Sequence, residues 1–405
     1  MKIFFSVGEP SGDLHGANLI RALHQQRPDI ECVGYGGPRM EAAGCRLHAD
    51  LTELAVMWIW RVVLNLHRFR KLLLDAEAYF AAEPIDAVVL IDYPGFNWWI
   101  ARAARKHGVP VYYYGAPQIW AWLTYRVHKM RRLVDHVLCK LPFEARWYRD
   151  HHCNATYVGH PYFDELSARR LDPEFLAQQQ VDDRPLVALL PGSRNQEVTN
   201  NLPAFLAAAG RILEKAPQAR FAVASFNERQ AETARRLIAE SGLSIEVHTG
   251  RTAELIHASR CCLACSGSVS LELLYYARPS VIHYRVGRLF YWFARCVLIR
   301  VRFITLVNLL AAEDPFDLSA GPYDPGAADA ERIPFPEYPT YSDMSAQLAA
   351  HVVRWLNDDA AYQRSAERLR QLKAELSHGG ASRTAAHYIL STLGQASAAP
   401  QRRAA

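Results

Sequence analysis

The sequence is short of cysteine, has no long apolar run and carries no strong excess of either charge. Eight cysteines in 405 residues are far too few for a disulfide scaffold. Three of them, Cys261, Cys262 and Cys265, crowd one apolar run without a matching second pair, so buried thiols in a reducing compartment fit better than a zinc site. Basic residues exceed acidic ones by 46 − 41 = 5, too small a margin for a nucleic-acid binder. No stretch of about 18 uncharged apolar residues occurs. The nearest, Leu289 to Val307, is broken by Arg295, Arg300 and Arg302, which argues against a spanning helix. The start, MKIFFSVGEPSGD, turns polar too early for a signal peptide. The chain is therefore expected in the cytosol, or on a membrane without crossing it.

What the sequence does have is apolar bulk. Half the residues are apolar and 21% are charged, which supplies a large core and excludes wholesale disorder. The length suits two or three domains. Short apolar runs alternate with helical-period segments in two series. Met1–Val7, Glu31–Tyr35, Ala87–Asp92, Pro110–Tyr114, His136–Leu138 and Thr156–Val158 form the first; LVALLPG, FAVASF, IEVHTG, CCLACSG and PSVIHYRV form the second. Near-continuous apolar strands separated by helices predict parallel sheets buried on both faces. The fold class is therefore α/β, with two doubly wound, Rossmann-like domains and a cleft between them. The expected boundaries are 1–170 and 185–345. Residues 346–393 are expected to be helices returning to the N-terminal domain or to a partner protomer, and 394–405 a flexible tail. Residues 311–340, rich in Pro, Gly and acids, read as a long loop.

Several turns at strand ends carry more polar chemistry than turns need. GEPSGDLHGA, from Gly8 to Ala17, follows the first strand and opens a helix, where backbone N–H groups can face an anion. It is neither a Walker A motif nor a dinucleotide fingerprint. Ser11 or Asp13 could serve as a cap, but Glu9, Ser11, Asp13 and His15 together exceed that need. LLPGSR brings Gly192, Ser193 and Arg194 to a similar turn, with the guanidinium suited to phosphate. CSGSVSLE adds Ser266, Gly267, Ser268 and Glu272. Two such turns in one domain point to a diphosphate with a sugar or ribose. Asp92, in VVLIDYPGFN, ends a buried strand. It is either a cap or a catalytic base, and the base is the preferred reading. His160, in VGHP, is equally suited to a structural and a functional role. Trp58, Ile59, Trp60, Val62 and Val63, followed by Arg68, Arg70 and Lys71, fit an element dipping into an anionic membrane better than a core helix. Leu289–Phe303 has a similar apolar-plus-arginine character.

Taken in order, GEPSGDLHGA, GGPRM, LTELAVM, IDYPGFN, APQIWAW, LPFE, VGHP, LLPGSR, SGSVSLE and NLL, spread over about residues 1–310, resemble the lipid-A-disaccharide synthases. The resemblance implies a GT-B glycosyltransferase acting as a peripheral homodimer on the inner face of the cell membrane. It implies inverting transfer from UDP-2,3-diacylglucosamine to 2,3-diacylglucosamine 1-phosphate, with UDP released and neither metal nor other cofactor required. By position, Asp92 matches the catalytic carboxylate, with Glu9 and Ser11 in the glycine-rich loop and Glu9 a second catalytic candidate. Arg194, Glu272 and Asn308 match donor-binding positions, and Ser11, Ser266, Gly267 and Ser268 are placed with them as UDP-donor contacts. The chain departs from the pattern at Gly95, where a second Asp is usual, and at Val307, where Pro is usual. Ala312 and Glu313 replace a Gly-Arg pair. The alternatives are another GT-B enzyme, such as a UDP-N-acetylglucosamine 2-epimerase, and a non-catalytic UDP- or lipid-binding relative.

Overall fold

The computed structural model describes residues 1–52, 66–376 and 379–398. The chain divides into two compact units, Met1–Glu165 with His378–Ala405, and Leu166–Ser377.

The first unit is built on seven parallel strands: β1 (Lys2–Val7), β2 (Glu31–Gly36), β3 (Cys45–Asp50), β4 (Ala87–Ile91), β5 (Val111–Tyr114), β6 (His136–Cys139) and β7 (Ala155–Tyr157). Their order is β3-β2-β1-β4-β5-β6-β7. In β4 every residue is buried, as a central strand covered by helices on both faces requires. Helices α1 (Pro10–Gln26), α2 (Pro38–Ala42), α3 (Leu66–Ala82), α4 (Pro94–Lys106), α5 (Val127–Leu133), α6 (Pro142–Asp150) and α7 (Pro161–Ala168) connect them. Each of α1, α2, α4 and α6 has proline in its first turn, where the missing N–H has no intrahelical partner to lose.

The second unit repeats the plan with six parallel strands: β8 (Leu186–Leu190), β9 (Arg220–Ser225), β10 (Glu246–Thr249), β11 (Cys261–Cys265), β12 (Ser280–Arg285) and β13 (Glu337–Thr340), in the order β10-β9-β8-β11-β12-β13. Its helices are α8 (Pro173–Gln180), α9 (Asn195–Lys215), α10 (Glu228–Ser241), α11 (Thr252–Ala258), α12 (Val269–Tyr275), α13 (Arg288–Phe293), α14 (Leu306–Ala311), α15 (Ser345–Asn357) and α16 (Asp359–Leu376).

Three sequence readings change. β3 was not expected, because Arg46, His48 and Asp50 break its apolar run at a sheet edge. Within 311–340, the last residues form β13 rather than loop. Pro339 is tolerated there because β13 pairs only with β12 and leaves its other edge free of a strand. Segment 346–393 is not one block returning to the N-terminal domain. Helices α15 and α16 pack in the second unit, on α9 and α12. Only α17 (Ala381–Ala398) returns to the first, against α1. The Asp164 carboxylate fixes that return by accepting the N–H groups of Gly380, Ala381 and Ser382 at the start of α17.

Candidate functional site

In a doubly wound sheet, ligands gather where the strand order reverses, because connections leave in opposite directions and open a crevice. In the first unit that point lies between β1 and β4. Glu9 follows β1, and Asp92 follows β4 directly. Asp92 and Tyr93 both adopt left-handed backbone, with φ of 46° and 43°. For residues other than glycine this costs on the order of 1–3 kcal/mol each and persists only where the surroundings impose it. Here the Asp92 carbonyl accepts the Tyr113 hydroxyl at 2.7 Å and the Asn97 amide at 2.8 Å. Asn97 is fully buried, and its own carbonyl accepts the Ser6 hydroxyl at 2.7 Å, tying the turn to β1. Opposite, a Cβ on Gly8 would stand 2.4 Å from the Tyr93 ring, so only glycine lets the two turns approach. The chain thus builds strain at the acidic residue that ends β4 at the reversal.

The charges beside Asp92 come from Lys140, directly after β6, from Glu144 in α6 and from Glu9 after β1. Lys140 Nζ lies 3.5 Å from Asp92 Oδ1, with the side chains 15% and 20% exposed. Burial works against the ammonium, yet the carboxylates of Asp92, Glu144 and Glu9 outweigh it and hold the Lys140 pKa above its usual value. Glu144 is buried and accepts the backbone N–H of Lys140 (2.8 Å) and Leu141 (3.3 Å) and the Trp120 indole (3.0 Å). Burial raises its carboxyl pKa despite the nearby ammonium. His15 is buried, and burial, then Lys140, pushes it down to about 4. Its Nδ1 has no hydrogen-bond partner among the described residues. His160 is pushed well below its usual value by burial, then by Lys140 and His15; its Nδ1 accepts the Tyr162 N–H. Both rings are therefore neutral near pH 7. The result is a carboxylate–ammonium pair with two uncharged imidazoles within its electrostatic reach.

Lys140, Glu144, Asn97, Tyr113 and Trp120 were missed in the sequence, although Lys140 directly after the apolar run HVLC is an audible signal. Ser11 and Glu9 are exposed at the start of α1. Asp13 is not a cap for that turn: it is buried and accepts the N–H groups of Gly37, Arg39 and Met40, each at 3.0 Å, so it caps α2 instead.

The second unit reverses its order between β8 and β11, and both expected turns stand there. Arg194 begins α9 and is largely exposed, with Nη1 2.8 Å from Glu197 Oε1. The backbone N–H groups of Ser193 and Arg194 donate to the same carboxylate at 2.9 and 3.1 Å. Ser266 donates to the Ile304 carbonyl, Gly267 has φ of 154°, and Ser268 is the N-cap of α12. Buried Asn201 joins the neighbouring strand ends, donating to the Pro191 carbonyl and accepting the Arg285 N–H. Glu272 is buried and ion-paired with Arg169 at 3.2 Å. Asn308 points inward: its Nδ2 donates to the Phe335 carbonyl (2.7 Å) and Glu337 (3.0 Å), and its Oδ1 accepts the Phe335 N–H. Both amide hydrogens are thus engaged in holding β13. Glu337 also accepts the N–H groups of Ile304 and Thr305, while burial raises its pKa to about 7.

Cys261, Cys262 and Cys265 are buried along β11, and burial pushes Cys262 up to about 11. Among the described residues no group of three or more His, Cys, Asp or Glu is placed to hold a metal ion. Trp58, Ile59, Trp60, Val62 and Val63 lie outside the described residues. Arg68, Arg70 and Lys71 are exposed on α3, which buries Ala76 and Phe80 and sets Phe69 6.4 Å from the Tyr93 ring. Among the described residues no helix is long and apolar enough to cross a membrane.

Residues 3–317 match the family described as Lipid-A-disaccharide synthetase. A lipid-A-disaccharide synthase of Geobacter sulfurreducens is 33% identical over 97% of this chain and 98% of its own. One of Myxococcus xanthus is 37% identical over 76% of this chain and 81% of its own. Among solved structures, an S. aureus MnaA–UDP co-structure aligns with a TM-score of 0.65 over 97% of both chains at 12% identity, a likeness of fold alone.

Proposed function

This chain belongs to the lipid-A-disaccharide synthase family, and we propose that it joins UDP-2,3-diacylglucosamine to 2,3-diacylglucosamine 1-phosphate, with inversion and release of UDP. The observation that carries the reading is Asp92, held in strained backbone at the β1/β4 reversal against Lys140.

The Asp92 carboxylate takes the proton of the acceptor's 6-hydroxyl as that oxygen attacks the anomeric carbon. The new C–O bond forms as the bond from that carbon to the UDP oxygen breaks, and UDP leaves carrying the electron pair. Single displacement inverts the centre. Lys140 orients the carboxylate, and Glu9 stands at the adjacent turn. Neutral His15 and His160 bring no further positive charge to the pair.

The donor diphosphate is met by Arg194 and by the Ser266–Gly267–Ser268 turn, with no metal in the mechanism. Arg194, 80% exposed at its side chain, can turn from Glu197 to a phosphate, while the largely buried Glu197 carboxylate keeps the backbone N–H groups of Ser193 and Arg194. The same turns suit UDP in a single domain. Glu272 and Asn308 act from behind, through Arg169 and β13. In this reading the enzyme works as a homodimer on the inner membrane face, with Arg68, Arg70 and Lys71 toward lipid phosphates.

Incubation of the purified chain with both substrates tests the proposal by mass spectrometry of the lipid extract. A product equal to the sum of both acylated sugars with one phosphate supports it. An unchanged acceptor beside consumed donor overturns it.

A further inference from the structure

Between Glu272 and Glu313 the sequence has no acidic residue but carries Arg278, Arg285, Arg288, Arg295, Arg300 and Arg302. In the middle of this stretch, α13 and the π-helical turn Ala294–Leu298 present their apolar side chains to solvent. Leu289 is 89% exposed, and Phe290, Trp292, Phe293 and Val297 are at least half exposed. Within α13 no residue is buried, and in the turn only Ala294 is. Such a concentration of large apolar groups on a soluble surface marks a contact face. Arg288, Arg295 and Arg300 are exposed around it, and among the described residues none forms an ion pair. Arg302, by contrast, is held by Asp329 at 2.6 Å and by the Gly321 carbonyl, and takes a structural part.

The inner side of the same element walls a cavity of about 270 Å³. Phe290, Ile299, Val301, Ile304, Leu318 and Pro322 are among its lining residues, together with Tyr284, Tyr291, Arg295 and Arg302. Arg295 donates to the Tyr291 hydroxyl and Arg288 lies over the Tyr341 ring, contacts that leave both positive charges without a carboxylate among the described residues. An apolar helix, exposed guanidinium groups and an apolar hollow behind them share one chemistry. It is that of an amphiphile with an anionic head and hydrocarbon tails.

We propose that residues 288–300 form a membrane-docking element of the second unit, which seats Leu289, Trp292 and Phe293 among the acyl chains of an anionic bilayer while Arg288, Arg295 and Arg300 bind lipid phosphates. The choice of a bilayer over a protein partner rests on the sign of the charge. A second copy of this chain would bring the same three arginines to the contact, and like charges facing one another oppose it. An anionic surface gains about fivefold in partition from each guanidinium, so the three together contribute roughly a hundredfold, weakened by salt. The aromatic residues suit the depth where head groups meet chains. The element belongs to a different unit from Arg68, Arg70 and Lys71, and its assignment rests on the proposed use of acylated substrates.

Cys296 makes the test direct, because it is the one exposed cysteine of the eight and lies inside the element. An environment-sensitive fluorophore on Cys296 of the full chain reports where it goes. With vesicles of phosphatidylcholine containing phosphatidylglycerol, emission is expected to shift to the blue and to be quenched by nitroxides on the acyl chains. Pure phosphatidylcholine should give about a hundredfold weaker effect. A triple variant, Leu289→Ser, Trp292→Ser and Phe293→Ser, should lose the shift while its circular dichroism is unchanged; because these side chains are solvent-facing, folding is expected to survive.

A silent probe on protein that still co-sediments with anionic vesicles overturns this assignment and leaves the proposed activity standing. A blue shift that follows protein concentration without vesicles assigns the face to a second copy and equally overturns it. Failure of the proposed activity is read separately, as loss of disaccharide formation in detergent micelles, where no bilayer is needed.

Discussion

Replacing Asp92 by Asn removes the carboxylate read as the base and takes from the Lys140 ammonium its ion-pair partner at 3.5 Å, leaving the Glu144 and Glu9 carboxylates to act on it. At an effective dielectric constant of about 20, unit charges 3.5 Å apart attract by roughly 5 kcal/mol. Much of that attraction offsets the cost of taking both groups out of water, and both remain slightly exposed. A net coupling of about 1–3 kcal/mol is therefore expected. Asn tolerates left-handed backbone well, so the Asp92 turn itself is not disturbed. Asp92→Asn and Lys140→Met should each destabilise the first unit by about the coupling energy. The double variant should recover most of it, since neither charge is left unpaired. Turnover should behave differently: it falls by about 100-fold or more in Asp92→Asn and stays low in the double variant. Urea unfolding of the four proteins, with UDP release measured on the same preparations, separates the two effects. Additive stability changes, within about 0.5 kcal/mol, would refute the ion-pair argument. Near-normal turnover in Asp92→Asn would reduce Asp92 to a turn residue.

Arg194→Ala should weaken UDP binding by roughly 1.5–3 kcal/mol in calorimetry, with little effect on the acceptor; unchanged UDP affinity removes Arg194 from the donor site. Asn97→Ala leaves the Asp92 carbonyl and the Ser6 hydroxyl short of a partner, so thermal unfolding should show a loss of about 2–4 kcal/mol, and kcat should fall with it. Glu337, raised to about 7 by burial, holds its proton more tightly folded than unfolded. Its contribution to stability is therefore complete below about pH 4.5 and is lost as pH rises through 7. Urea midpoints should fall over that window, and Glu337→Gln should flatten the slope even though the variant is less stable overall, because its amide would face N–H donors.

The sheets were legible because their central strands are apolar without interruption, as in AVVLI and CCLAC, and only a strand buried on both faces needs that pattern. Edge strands need it less. β3 and β13 carry Arg46, His48, Glu337 and Pro339 and escaped notice for that reason. In the site, the turns after β1, β4, β8 and β11 were visible as clusters of small and polar residues. The direction of each side chain was not. Nothing in the letters Asp-Tyr-Pro announces two left-handed residues, because the usual mark of that conformation, glycine, stands across the crevice at Gly8. Lys140 reaches Asp92 only through the adjacency of β4, β5 and β6. Asn308 turns its amide toward Phe335 and Glu337, an orientation that depends on β13, a strand whose Glu and Pro hide it within a loop-like stretch of sequence.

The most direct measurement of the central claim is UDP release from UDP-2,3-diacylglucosamine by the purified chain, with and without 2,3-diacylglucosamine 1-phosphate. The expected result is release that depends on the acceptor, matches disaccharide formed one for one, and collapses in Asp92→Asn. Equal release without acceptor, or turnover of UDP-N-acetylglucosamine to its 2-epimer instead, would contradict it.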